Sequence, residues 1–177
     1  MNMGNRGFTL IELLVVIAII GVLSSVVLAS LNSARQKARD AQRVSNLIEI
    51  RTALEMYYSD NGSYPNSGGT TWGRTECSLY SDPLAANDVI PGLVPTYISS
   101  FPSDPSMDKV NSTSCYIYRS NGTDYILLDH NIQDPGFSYL SRPTFVDPRR
   151  DGGVDFCVID EANIWSWKIS SPGGVCW

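Results

Sequence analysis

Few side chains in this 177-residue chain stand at spacings that could do chemistry. It carries no Walker-type phosphate loop, no G-x-S-x-G, no H-E-x-x-H and no C-x-x-C. The single histidine, His130, falls in a polar stretch after a predicted strand and reads as a solvated loop residue with no triad around it. Asp147, Asp151 and Asp155 recur every fourth residue around Gly152-Gly153 and could wrap a hard cation such as calcium. Their spacing is not that of an EF-hand, so a solvated acidic turn is the favoured reading, and no other cofactor is expected. Four cysteines allow three pairings. We favour Cys77–Cys115, which ties an irregular region to a hairpin, and Cys157–Cys176, which ties the tail to the last strands. The second bridge closes a loop of about twenty residues, worth ~3 kcal/mol in a chain-entropy account, and Gly173-Gly174 let the tail fold back. Trp165 and Trp167 share one face of a strand and read as core or as a contact between subunits. The Asn-x-Ser/Thr triplets at Asn61, Asn111 and Asn121 read mostly as turns. One carboxylate is left in an unusual place: Glu12, directly before an apolar run.

That run, Leu13–Leu31, lies in a stretch with no charge between Glu12 and Arg35. As a helix its ~22 residues span roughly 33 Å, enough to cross a bilayer core. A cleaved secretory signal is the competing reading. It fits poorly, because the leading basic region is nearly absent, the apolar run is long, and helical signals continue beyond it. Gly21, Ser25 and Ala29 step by four down one side, the spacing that lets helix backbones approach in lipid. The apolar positions Ala34, Ala38, Ala41, Val44, Ile48, Leu54 and Tyr58 continue at threes and fours, with Arg35, Arg39, Asp40, Arg43 and Glu49 off that stripe. Gly62 and Tyr64-Pro65 supply the stop. One helix from about Thr9 to Asp60, ~78 Å long, is predicted. Its second half must be covered by the rest of the chain.

Charge is segregated. The net charge is −5, yet residues 35–51 carry five Lys/Arg against two Asp/Glu, and residues from 52 onward carry seven basic against fifteen acidic side chains. An acidic body lacks the clustered Lys/Arg that nucleic-acid binding needs. Residues 62–113 are rich in Gly and Pro and loop-dominated, with a short helix near 83–90. Ser114–Arg119 and Thr123–Leu128 alternate around Asn121-Gly122, a type I′ hairpin signal. Val154–Ile159 and Ile164–Ile169 form a second candidate strand pair. The expected fold is α+β: a long N-terminal helix packed on a small antiparallel sheet. A membrane-tethered hydrolase or binding domain would need a polar constellation that the sequence does not display.

Gly7-Phe8-Thr9-Leu10-Ile11-Glu12 followed by the apolar run resembles the leader of type IV pilins and type II secretion pseudopilins. Ala53–Tyr58 with Asp60–Pro65, and Val94–Ile98 with Phe101–Pro105, extend the resemblance, closest to the major pseudopilin. It implies a leader, residues 1–7, cut between Gly7 and Phe8 by a prepilin peptidase that also N-methylates Phe8. It then implies a membrane and filament-core helix over 8–34, an amphipathic continuation over 35–61, an αβ-loop over 62–113, and a sheet with a disulfide-closed tail over 114–177. The implied partners are other copies of the chain in a helical homopolymer, the peptidase, an inner-membrane assembly platform and minor pilins. The implied place is a single-pass anchor in the inner membrane with the body outside the cytoplasm. Arg35, Lys37, Arg39 and Arg43 after the helix would favour the opposite orientation, whereas four cysteines suit an oxidising compartment. Glu12 is implied as the assembly residue, pairing with the new Phe8 amine of a neighbouring subunit. A calcium site is implied late in the chain, although Asp147, Asp151 and Asp155 do not align with the family's loop. Many pilins carry proline where this chain has Ala29. The resemblance implies a pseudopilus subunit for protein secretion, or alternatively a type IV pilus subunit for adhesion, motility or DNA uptake.

Overall fold

A computed structural model describes residues 9–68, 73–78, 84–132, 145, 147, 157 and 166–177. One helix, α1, runs over Leu10–Asn61. It starts on a capping box, in which the Thr9 hydroxyl accepts from the Glu12 amide and the Glu12 carboxylate accepts from the Thr9 amide. It stops at Gly62, whose φ of 70° is the left-handed turn that a residue without Cβ adopts at no steric cost. Gly62 N donates to Tyr58 O at 2.8 Å, which satisfies one of the orphaned carbonyls of the last turn.

Four strands form one antiparallel sheet: β1 (Arg74–Thr75), β2 (Cys115–Ser120), β3 (Tyr125–His130) and β4 (Trp167–Ser170), in that spatial order. The register pairs Tyr116 with Asp129, Tyr118 with Leu127, and Asp129 with Trp167. Because side chains alternate, these residues share one face. Tyr116, Tyr118, Tyr125, Leu127, Trp167 and Ile169 pack there with Val44, Leu47, Ile50, Ala53 and Leu54 of α1. The opposite face buries Ile117, Ile126 and Leu128, with Trp177 against them. Both faces of the sheet are covered, which explains why every residue of β3 is buried. Near the tail, a Cβ on Gly174 would collide with the Tyr125 carbonyl oxygen, so the C-terminal turn needs glycine to lie against β3.

The α+β arrangement is the expected one, but four details differ. The buried stripe of α1 is Asp40, Arg43, Val44, Asn46, Leu47, Ile50, Ala53 and Leu54. Of the expected apolar positions only Val44 and Leu54 are on it. Ala34 and Ala38 are exposed because they precede Asp40, the first buried residue of the helix, and Ala41 is exposed because it lies off the covered face. The hairpin turns through residues 121–124, and of Asn121 and Gly122 only Gly122 has positive φ, so the turn is not type I′. The Asn121 side-chain oxygen instead accepts from the amides of Thr123 and Asp124 at 2.9 and 2.8 Å. His130 is not a loop residue: it ends β3 and is buried, paired in register with Cys115. Among the described residues, the loop-dominated stretch holds β1 and one 3-10 turn, over Ala86–Asp88. Val154–Ile159, Trp165 and Trp72 lie outside the described residues.

Candidate functional site

The function-bearing element is α1, and it has three zones. The first is its start. Glu12 Oε2 accepts from the Thr9 amide at 2.9 Å and from the Thr9 hydroxyl at 2.7 Å. The carboxylate therefore folds back over the N-terminal end of the helix. Gly7 and Phe8 themselves lie outside the described residues.

The second zone is the apolar run. It is long and apolar enough to cross a membrane, and none of it is buried against the body. Leu13, Ile17, Ile20, Leu23, Val27 and Leu28 are all more than half exposed. A surface this apolar cannot face water along its whole length, so a lipid or protein environment must cover it. Gly21 has nothing within 4 Å of where its Cβ would be, while the Ser25 hydroxyl donates to its own helix at Val22 O, 2.7 Å away. Gly21, Ser25 and Ala29 stand on an uncovered side of the helix.

The third zone joins helix to body through buried charge. Arg43, fully buried, donates from Nη1 to Asp40 Oδ1 and from Nε to Asp104 Oδ2, both at 2.6 Å. Its Nη2 reaches Asp104 Oδ1 at 3.3 Å and the Ser106 hydroxyl, so the guanidinium grips Asp104 with two nitrogens. Asp129 of β3 lies 3.8 Å from Arg43 Nε, and neither of its oxygens finds a hydrogen-bond donor. One guanidinium thus serves three buried carboxyls. Burial first, then the charge of Asp104, push the Asp129 carboxyl well above the usual range, so it is the group that keeps its proton. Beside it Asn46 donates to Ser103 O and to the Tyr116 hydroxyl, each at 3.1 Å. Four segments meet here: α1, the 103–106 turn, β2 and β3.

This cluster was missed from sequence, where Asp40 and Arg43 counted as solvated off-stripe charges. Asp40 and Arg43 at i and i+3, together with the Asp104-Pro105 turn, were its only linear traces. The other expected sites are placed as follows. Cys77 is bonded to Cys115 and Cys157 to Cys176, with Cα separations of 6.3 and 4.6 Å. Asp147 is fully buried, not solvated, and its Oδ1 lies 3.6 Å from Lys168 Nζ. Asp151 and Asp155 lie outside the described residues, and among the described residues no group of three or more His, Cys, Asp or Glu could hold a metal ion. Trp167 is core, packed beside Phe145.

A capped N-terminal helix is bare and apolar for its first half and locked into a disulfide-closed α+β body for its second, a pilin-like arrangement. The chain matches the prokaryotic N-terminal methylation motif over residues 2–28. It is 37% identical over 139 residues to the Type II secretion system core protein G of Aeromonas hydrophila, covering 72% of this chain and 94% of that protein. It belongs to that family. The protein of the same name from Escherichia coli (strain K12) is 41% identical over 100 residues, 56% of this chain and 66% of its own length. The Type IV wide pilus major component PilA4 of Thermus thermophilus is 45% identical over 62 residues, 35% of this chain and 47% of that protein. No solved structure matches.

Proposed function

We propose that this chain is a structural subunit that is held in the inner membrane by α1, cut between Gly7 and Phe8, methylated on Phe8 and polymerised into a pseudopilus of a type II secretion system. The observation that carries the reading is the Aeromonas match, which runs through both helix and body over 94% of a protein named for that system. The methylation motif over residues 2–28 supports the processing step. In this reading the chemistry is mechanical. Apolar helices leave lipid for one another, and the bodies, stiffened by two disulfides and the Arg43 cluster, form the wall. No catalysis and no cofactor are needed, the partners being other copies, the prepilin peptidase, the assembly platform and minor pilins. The Thermus relative favours a second reading, a type IV pilus subunit, although that likeness spans only 35% of this chain. Deleting the gene separates the two: loss of exoprotein export with surface pili intact supports the secretion role, and loss of pili with export intact supports the pilus role. Both phenotypes unchanged would refute both.

A further inference from the structure

Between the apolar run and the body lies a short bare neck. Arg35 and Lys37 are exposed there, and no described residue makes an ion pair or hydrogen bond with either. No Asp or Glu lies between Glu12 and Asp40, and Asp40 is taken by Arg43. The two cations therefore have no intramolecular work, although the body beyond residue 52 carries fifteen acidic side chains.

Their position is defined by the helix. At 1.5 Å per residue, Arg35 and Lys37 stand ~6 and ~9 Å beyond Leu31, and Arg35 stands ~35 Å from Glu12. That separation exceeds a hydrocarbon core of ~30 Å and falls within the 40–45 Å of a bilayer with its headgroups. With Glu12 at one edge, the two cations meet the headgroups of the other. They are also two residues apart, about 200° around the helix, so they point to opposite sides. A single docked protein would read one side. Lipid surrounds a helix on all sides. Long cationic side chains reach readily to phosphates at such a boundary.

We propose that Arg35 and Lys37 form a two-sided collar that binds phospholipid phosphates, anionic lipids foremost, at the membrane face nearer the body, and so fixes the depth of α1 before polymerisation. The proposal rests on the membrane-held subunit described above. It also gives these cations a partner on the side where the usual charge bias of membrane proteins would not put them.

The full chain reconstituted in phosphatidylcholine nanodiscs containing one quarter phosphatidylglycerol tests this, with the retained lipids counted by native mass spectrometry. Resistance to alkaline extraction from vesicles of the same lipids is measured in parallel. At about fivefold per cation, Arg35→Gln/Lys37→Gln should lower the preference for phosphatidylglycerol ~25-fold, while Arg119→Gln on the sheet should leave it unchanged. Equal preference in the double variant and the unaltered chain would overturn the collar while leaving the membrane anchor standing. A chain that is extracted by alkali would overturn both. Unchanged lipid retention together with weakened chain-to-chain cross-linking would assign the cations to a neighbouring copy instead, and refute the proposal.

Discussion

Replacing Asp129 by asparagine tests the buried-charge reading in a way that a simple loss of packing cannot imitate. Asp129 is wholly buried, 3.8 Å from an Arg43 whose nitrogens already serve Asp40, Asp104 and Ser106. Its pKa is raised in the fold by burial and by Asp104, whereas in the unfolded chain it titrates near pH 4. Between those two values the native state holds a proton that the unfolded state has lost. Stability from this group is therefore complete below about pH 4 and falls as pH rises through the raised native value, by up to ~1.4 kcal/mol per pH unit. Asparagine has the same shape, cannot ionise, and brings its own donor toward Asp104. Asp129→Asn should melt within ~1 kcal/mol of the unaltered chain near pH 4 and progressively above it as pH rises from there through the raised native value. For a body of this size each kcal/mol is about 2–4 °C in Tm. The assay is near-UV circular dichroism of the full chain in mild detergent, heated at each pH. A variant weaker by several kcal/mol at every pH, with an unchanged pH slope, would mean that Asp129 is an ionised partner of Arg43 and would refute the reasoning.

The remaining predictions concern the same joint, the tail and the helix start. Arg43→Gln strips the cation from three buried carboxyls and should cost about 3–5 kcal/mol, read as a Tm drop. Arg43→Lys should recover only part, because one ammonium cannot bridge Asp40 and grip Asp104 at once. Cys157→Ser/Cys176→Ser opens a loop with a sequence separation of 19 and should cost ~3 kcal/mol, with protease cutting of the tail as a second readout. Glu12→Leu should leave insertion and cleavage intact while filament incorporation fails. Efficient filaments built from that variant alone would show that the carboxylate does not determine assembly.

The helix and its stop were legible because their signals are local: an uncharged run and a glycine stop; the Thr9–Glu12 capping box is equally local but was read only from the structure. Hairpin strands were legible from alternation, although their turn was shifted because the Asn121 side chain caps the loop instead of its backbone adopting positive φ. The buried face of the helix was not legible. Binary patterning counts Arg43 and Asp40 as surface, and only the fold brings Asp104 and Asp129, 61 and 86 positions after Arg43, to neutralise the cost of burying them. For the same reason Asp147 and His130 looked solvated. Polarity in sequence does not reveal a partner that arrives from another strand. Strand β1 escaped because two residues carry no periodicity.

One measurement bears most directly on the account as a whole: the intact mass of this chain recovered from the sheared, pelletable filament fraction of cells that express it with its own secretion or pilus genes. The account predicts a polymer-borne chain that begins at Phe8, carries one added methyl group and retains both disulfides. A chain that keeps Met1, or begins after the apolar run, or is missing from that fraction, would contradict it.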